Sequence, residues 1–99
     1  MVESDENIVL LDVRTVQEFH SETGHLRDAV LIPIQELPHR VDELDRVKEK
    51  TIIAYCRTGN RSGKAAAWLS QRGFRVLNME GGIVQWNDES FPVVREQRA

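Results

Sequence analysis

Thr51-Ile52-Ile53-Ala54-Tyr55-Cys56-Arg57-Thr58-Gly59-Asn60-Arg61-Ser62 is the stretch on which the reading of this chain turns. A mostly apolar run, Thr51 to Tyr55, ends against the chain's single cysteine. Two arginines, a glycine and small hydroxyl residues follow, and then the alanine-rich segment Gly63 to Arg72. A short run rich in isoleucine, alanine and tyrosine predicts a strand buried on both faces, and the alanine-rich segment predicts a helix. Cys56 then lies where a strand hands over to a helix, at the carboxyl edge of an open sheet where ligands bind. The turn Arg57 to Arg61 can aim several backbone N–H groups at one point. The following helix N-terminus adds unpaired donors and partial positive charge.

A free thiol with a pKa of about 8.5 is only about 3% thiolate at pH 7. Lowering that pKa by about two units takes about 2.7 kcal/mol of differential stabilisation. A helix terminus typically supplies about 0.3–1 kcal/mol, too little alone. Converging loop amides and the guanidinium of Arg57 or Arg61 are the available sources of the remainder.

A lone cysteine excludes an internal disulfide and a multi-cysteine zinc site, leaving an inert buried thiol or a reactive one. Composition by itself favours the buried reading, since free cysteine is among the most buried residue types. Its neighbours favour the reactive one, because Arg57 and Arg61 flanking a glycine turn are poor company for a packed core thiol.

Ninety-nine residues suit a single domain, 1–99, with a core over about 8–93 and short tails. A formal net charge of −3, with acidic and basic residues intermixed, gives no nucleic-acid footprint. No stretch is long enough to span a membrane. The opening Met1-Val2-Glu3-Ser4-Asp5-Glu6-Asn7 is acidic, unlike a secretory leader, so a cytoplasmic, reduced protein is expected, and a monomer. His20, His25 and His39 lack metal-ligand spacing, so no metal is expected; His25 is assigned a structural hydrogen bond, and His20 and His39 a solvated surface.

Working outward, Ile8 to Val13 is a continuous apolar run and predicts a buried strand. Leu37, Val41, Leu44 and Val47 recur at intervals of four, three and three within a charged segment, predicting an amphipathic helix over Leu37 to Lys50 with a solvated outer face. Ala65, Ala66, Trp68 and Leu69 give the next helix its packing face, and Gly73 its stop. Phe74 to Leu77 predicts a further strand and Trp86 a core position. Val94 to Ala99 is expected to lack fixed structure. Strands alternating with helices predict an α/β fold, a mostly parallel central sheet with helices on both faces.

Cys56-Arg57-Thr58-Gly59-Asn60-Arg61-Ser62 resembles the active-site loop of rhodanese-type sulfurtransferases, in which a cysteine and an arginine bound a short loop before a helix. The spacing here is C-x4-R, whereas related dual-specificity phosphatases carry C-x5-R, a wider ring that holds a tetrahedral phosphate. Asp12-Val13-Arg14 followed by Glu18-Phe19 resembles the family's first signature. Gly24-His25-Leu26-Arg27-Asp28-Ala29 is similar to its Gly-His-Ile-Pro-Gly-Ala, with Leu26-Arg27-Asp28 in place of Ile-Pro-Gly and a strand expected over Val30 to Ile32. Glu80-Gly81-Gly82 with Trp86, and Phe91-Pro92-Val93, resemble its closing signatures. Family members often carry a further strand before Asp-Val-Arg; only seven residues precede Ile8.

The resemblance implies a rhodanese-like fold and a sulfurtransferase of the thiosulfate type, with no cofactor. Cys56 is the implied catalytic nucleophile, with Arg57, Thr58, Gly59, Asn60 and Arg61 as the substrate-binding loop. Arg57 steers an anionic sulfur donor and Arg61 braces the loop through a carboxylate. Independently of the resemblance, Asp12 and Arg14 at the end of the first strand are expected to form a supporting ion pair or hydrogen-bond network rather than to act in catalysis, because charges near strand ends commonly pair. The acceptor is cyanide, a cellular thiol or a sulfur-accepting protein. The alternatives are a sulfur carrier or interaction module, and a phosphatase or arsenate reductase on the same fold.

Overall fold

The computed structural model describes residues 7–91, 93 and 94; the expectations for Pro92 and for 95–99 lie outside them. Strand and helix alternate as the pattern predicts. Strand β1 is Ile8–Asp12, helix α1 Val16–Phe19, β2 Val30–Leu31, α2 Leu37–Arg40, β3 Thr51–Tyr55, α3 Asn60–Ser70, β4 Arg75–Asn78 and α4 Gly82–Asp88. The four strands form one sheet in the order β2-β1-β3-β4, every pair parallel. β3 sits at the centre, with Ile8 opposite Thr51 on one side and Thr51 opposite Arg75 on the other.

Alternation along the strands sorts the side chains onto two faces. Leu11, Ile52 and Ala54 point into a core closed by Leu37 and Leu44 on one flank and Ala65 and Leu69 of α3 on the other. Leu10 and Tyr55 point the opposite way, into a smaller core closed by Leu26 and Ile83 of α4, with Trp86 half-buried at its margin. Burial on both faces is why the central strands read as apolar runs rather than as alternating sequences.

The segment after β2 corrects one expectation. Residues 37–50 do not form one α-helix: α2 is a single turn, and Val41–Val47 continues as a 3-10 helix. The reason lies in the spacing itself. Val41, Leu44 and Val47 recur every three residues, which is the 3-10 repeat, and this keeps all three on the core side where an α-helix would rotate them away. Helix α3 starts at Asn60, three residues ahead of the expected Gly63, because Gly59 takes a left-handed φ of 106° at its N-cap and its carbonyl receives the Gly63 amide. Strands β1 and β2 each stop one residue early, and β4 begins one residue late and runs one residue further.

The turn into β2 places Asp28 at φ 63°, with the Ala29 amide donating to the Leu26 carbonyl. Asp28 occupies the third position of a four-residue turn, where a type II geometry favours glycine. It stands where the resemblance expects Gly, and Arg27 where it expects Pro. Val94, expected to lack structure, instead bridges to His25 with backbone hydrogen bonds of 2.9 Å and 2.7 Å.

Candidate active site

β3 delivers Cys56 to the carboxyl edge of the sheet, and the turn 57–59 folds the backbone back over its sulfur. The Gly59 amide donates to Sγ at 3.0 Å, and the Ser62 hydroxyl lies 3.5 Å from it. Burial pushes the Cys56 thiol up, but hydrogen bonding from the Ser62 hydroxyl and from the Ser62, Gly59 and Thr58 amides outweighs it. The net direction is below the ordinary thiol value. The oriented donors thus ease ionisation of a sulfur whose residue is only 1% exposed, buried as composition by itself suggested.

Of the expected sources of stabilisation, hydrogen bonds lead at the sulfur, and the Arg61 guanidinium feels the Cys56 charge while bound elsewhere. Arg61 lies in the first turn of α3 and donates both ends of its fork to Glu18, Nη1 to Oε1 at 2.7 Å and Nη2 to Oε2 at 2.8 Å. Arg57 projects outward, exposed. Of the other expected loop residues, Thr58 contributes its amide while its side chain is exposed, and Asn60 is an exposed residue at the start of α3. Arg61 is held by a carboxylate, the contact that the expected brace requires.

Glu18 does two jobs. Its Oε1 receives the Thr15 amide at 3.0 Å while Thr15 Oγ1 receives the Glu18 amide at 3.1 Å, a capping box on α1. The hydrogen bond from Arg61 is the main reason its carboxyl is held down at about 2.

Below this layer lies the expected ion pair, fully buried. Arg14 Nη2 reaches Asp12 Oδ2 at 2.7 Å, Nε reaches Oδ1 at 2.9 Å, and the Arg14 amide also donates to Oδ1. Nη2 also donates to the Gly24 carbonyl and Nη1 to Thr23 Oγ1, stapling the end of β1 to the turn before β2. Tyr55 packs under the guanidinium and its hydroxyl receives the Leu26 amide. His25 takes its structural role, with Nδ1 3.0 Å from the Phe19 carbonyl and its ring stacked on Phe19.

Two contributions were not foreseen from sequence. Asn78, at the end of β4, receives the Ser62 hydroxyl on Oδ1 at 2.5 Å and donates Nδ2 to the Gly59 carbonyl at 3.3 Å. The start of α4 caps the loop's outward carbonyls: the Ile83 amide donates to Cys56 O and the Val84 amide to Arg57 O. Gly82 lies so close that a Cβ there would fall 2.4 Å from the Arg57 carbonyl oxygen. The Gly-Gly signature signalled this contact, since only a residue without a side chain fits.

A parallel four-stranded sheet with a cysteine cradle at its carboxyl edge defines a rhodanese-like domain. A family profile described as "Rhodanese-like domain" matches residues 1–89, and the chain belongs to that family. It is 39% identical over 90 residues to a protein of Allochromatium vinosum named "Sulfurtransferase", covering 90% of this chain and 80% of that one. The crystal structure of a rhodanese-related protein from Thermoplasma volcanium superposes with a TM-score of 0.84 at 36% identity, covering 92% of this chain and 87% of the other. A "tRNA uridine(34) hydroxylase" of Enterobacter sp. (strain 638) is 38% identical over 98 residues, with 90% of this chain matching 28% of that longer protein.

Proposed function

We propose that this protein is a sulfurtransferase that carries sulfane sulfur on Cys56 as a persulfide. The observation that carries the reading is the convergence of the Gly59 amide, at 3.0 Å, and the Ser62 hydroxyl on a sulfur inside a C-x4-R turn. Donors so placed favour a thiolate before transfer, and the loop amides remain to hold the persulfide anion after it. The Cys56 thiolate attacks the outer sulfur of a donor such as thiosulfate. A Cys56 S–S bond forms as the donor's S–S bond breaks, and sulfite leaves with the electron pair. Cyanide or a cellular thiol then attacks the outer persulfide sulfur, takes it, and returns the thiolate. Nothing in this cycle calls for a metal or an organic cofactor.

The residues divide by role. The Thr58 and Gly59 amides hold charge at the sulfur. Arg57, free at the rim, draws in the anionic donor, and Arg61 fixes the first turn of α3 through Glu18, with Asn60 beside it. One chain suffices for this chemistry, and a reducing cytoplasm keeps the single thiol available. Among the described residues no helix is long and apolar enough to cross a membrane.

A second reading, a sulfur carrier that serves a protein partner with little free turnover, draws support from the exposed loop rim and from the match to about a quarter of a much larger tRNA hydroxylase. A phosphatase is disfavoured by the short turn. Intact mass after incubation of reduced protein with thiosulfate tests the proposal: a gain of about 32 Da on wild type and none on Cys56→Ser is expected, because only a nucleophilic sulfur forms the persulfide. Absence of the gain, with hydrolysis of an aryl phosphate instead, would overturn it.

A further inference from the structure

We propose that Asn78 is a positioning residue for Cys56, holding the Ser62 hydroxyl proton away from the sulfur in the resting thiol and releasing it when the sulfur ionises. The inference rests on the reading of Cys56 as the reacting atom.

A serine hydroxyl has one proton and two lone pairs, so Ser62 cannot donate to two acceptors at once. Its oxygen lies 2.5 Å from Asn78 Oδ1 and 3.5 Å from Cys56 Sγ, and the shorter contact takes the proton. The orientation of the amide is fixed from its other end. Nδ2 donates to the Gly59 carbonyl at 3.3 Å, and a carbonyl only accepts; turning the amide over would set oxygen against oxygen. The sheet register holds Asn78 there, opposite Ala54 and two residues short of the nucleophile.

In the thiol, Ser62 therefore shows the sulfur a lone pair. Cys56 S–H, Ser62 Oγ–H and Asn78 Oδ1 form a single chain of donors and acceptors that steadies the neutral form. When the thiol proton leaves for solvent, the hydroxyl turns to the thiolate and its bond to Asn78 opens. In the persulfide the charge moves to the outer sulfur, and the hydroxyl returns to Asn78. The device keeps the thiolate from being over-stabilised, which matters because the nucleophilicity of a thiolate falls as its pKa falls.

The test is the pH dependence of Cys56 alkylation by iodoacetamide in wild type, Asn78→Ala, Ser62→Ala and the double variant. Asn78→Ala also loosens Gly59, so the informative quantity is the coupling between the two sites. The midpoint shift caused by Asn78→Ala is expected to lie about 0.5–1 pH unit lower with Ser62 present than with Ser62→Ala. Equal shifts in both backgrounds, or coupling of the opposite sign, overturn the proposal. Wild type gives an independent reading that needs no Asn78 variant. The side-chain amide resonances of Asn78 are expected to move with the Cys56 titration and to stop doing so in Ser62→Ala; resonances that ignore the titration in wild type overturn it. Neither measurement uses a sulfur donor, so a failed persulfide mass gain with intact coupling rejects the sulfur-transfer reading alone.

Discussion

Glu18 and Arg61, 43 residues apart, are joined by two parallel hydrogen bonds of 2.7 Å and 2.8 Å that tie the first helix to the first turn of α3 after the cysteine loop. A fork-to-fork pair fixes direction as well as distance. Because both side chains are about a third exposed or less, the contact is neither fully solvated nor dry.

Replacing Glu18 with Gln tests this tie. The folded-state carboxyl is held at about 2 against an ordinary 4.5, so its contribution is complete above about pH 4.5 and is lost as pH falls towards 2. Glu18→Gln is expected to lower stability by about 1 kcal/mol at pH 7, allowing for solvent screening, and to flatten the loss between pH 4.5 and 2. Urea denaturation at pH 7 and pH 3 measures both; an equal gap between variant and wild type at the two values would refute the linkage.

Arg14→Met strands the Asp12 carboxylate, 0% exposed, without its guanidinium. Breaking a buried pair from one side costs about 3–5 kcal/mol. A loss below about 1 kcal/mol in denaturant titration would show that the pair does not hold the end of β1 to the turn before β2.

Gly82→Ala combines a left-handed backbone, φ 61°, with a methyl 2.4 Å from the Arg57 carbonyl oxygen. A destabilisation of about 2–4 kcal/mol is expected, together with slower persulfide formation, since the loop must shift to relieve the contact. Thermal unfolding and the mass assay with thiosulfate read the two effects. Wild-type persulfide rates would mean that α4 does not shape the loop.

Asp28→Gly goes in the opposite direction. At φ 63° an L-residue is strained and glycine is not, so a gain of up to about 1 kcal/mol is expected, less the extra freedom of the unfolded chain. A lower denaturation midpoint would show that the Asp28 side chain contributes more than its backbone strain costs.

Arg57→Ala is expected to raise the KM for thiosulfate more than it lowers kcat, because an exposed charge at the rim acts on approach rather than on the reacting bond. An unchanged KM in steady-state assays would remove the steering role.

The elements of the fold were legible in sequence because runs such as Ile52-Ile53-Ala54-Tyr55 are buried on both faces and carry their own signal. The 3-10 stretch Val41–Val47 was legible only as a stripe: its period of three was present in the spacing, but a preceding interval of four masked it. At the site, the place of Cys56 at a strand-to-helix turn could be read from the sequence pattern, and a carboxylate brace on Arg61 came with the family resemblance. Glu18 as the specific brace could not, because a capping-box glutamate looks the same whether or not a distant arginine also holds it. Asn78 gave no signal, since a polar residue ending a strand is ordinary until the sheet register places it beside Ser62 and Gly59.

The contacts from Ile83 and Val84 to the carbonyls of Cys56 and Arg57 also order events in time. A growing chain has synthesised Cys56, the glycine turn and all of α3 before these two amides exist. Until they dock, the loop's outward carbonyls are uncapped and the turn is held from one side only. The cradle around Cys56 is thus completed late, by a helix far downstream in sequence.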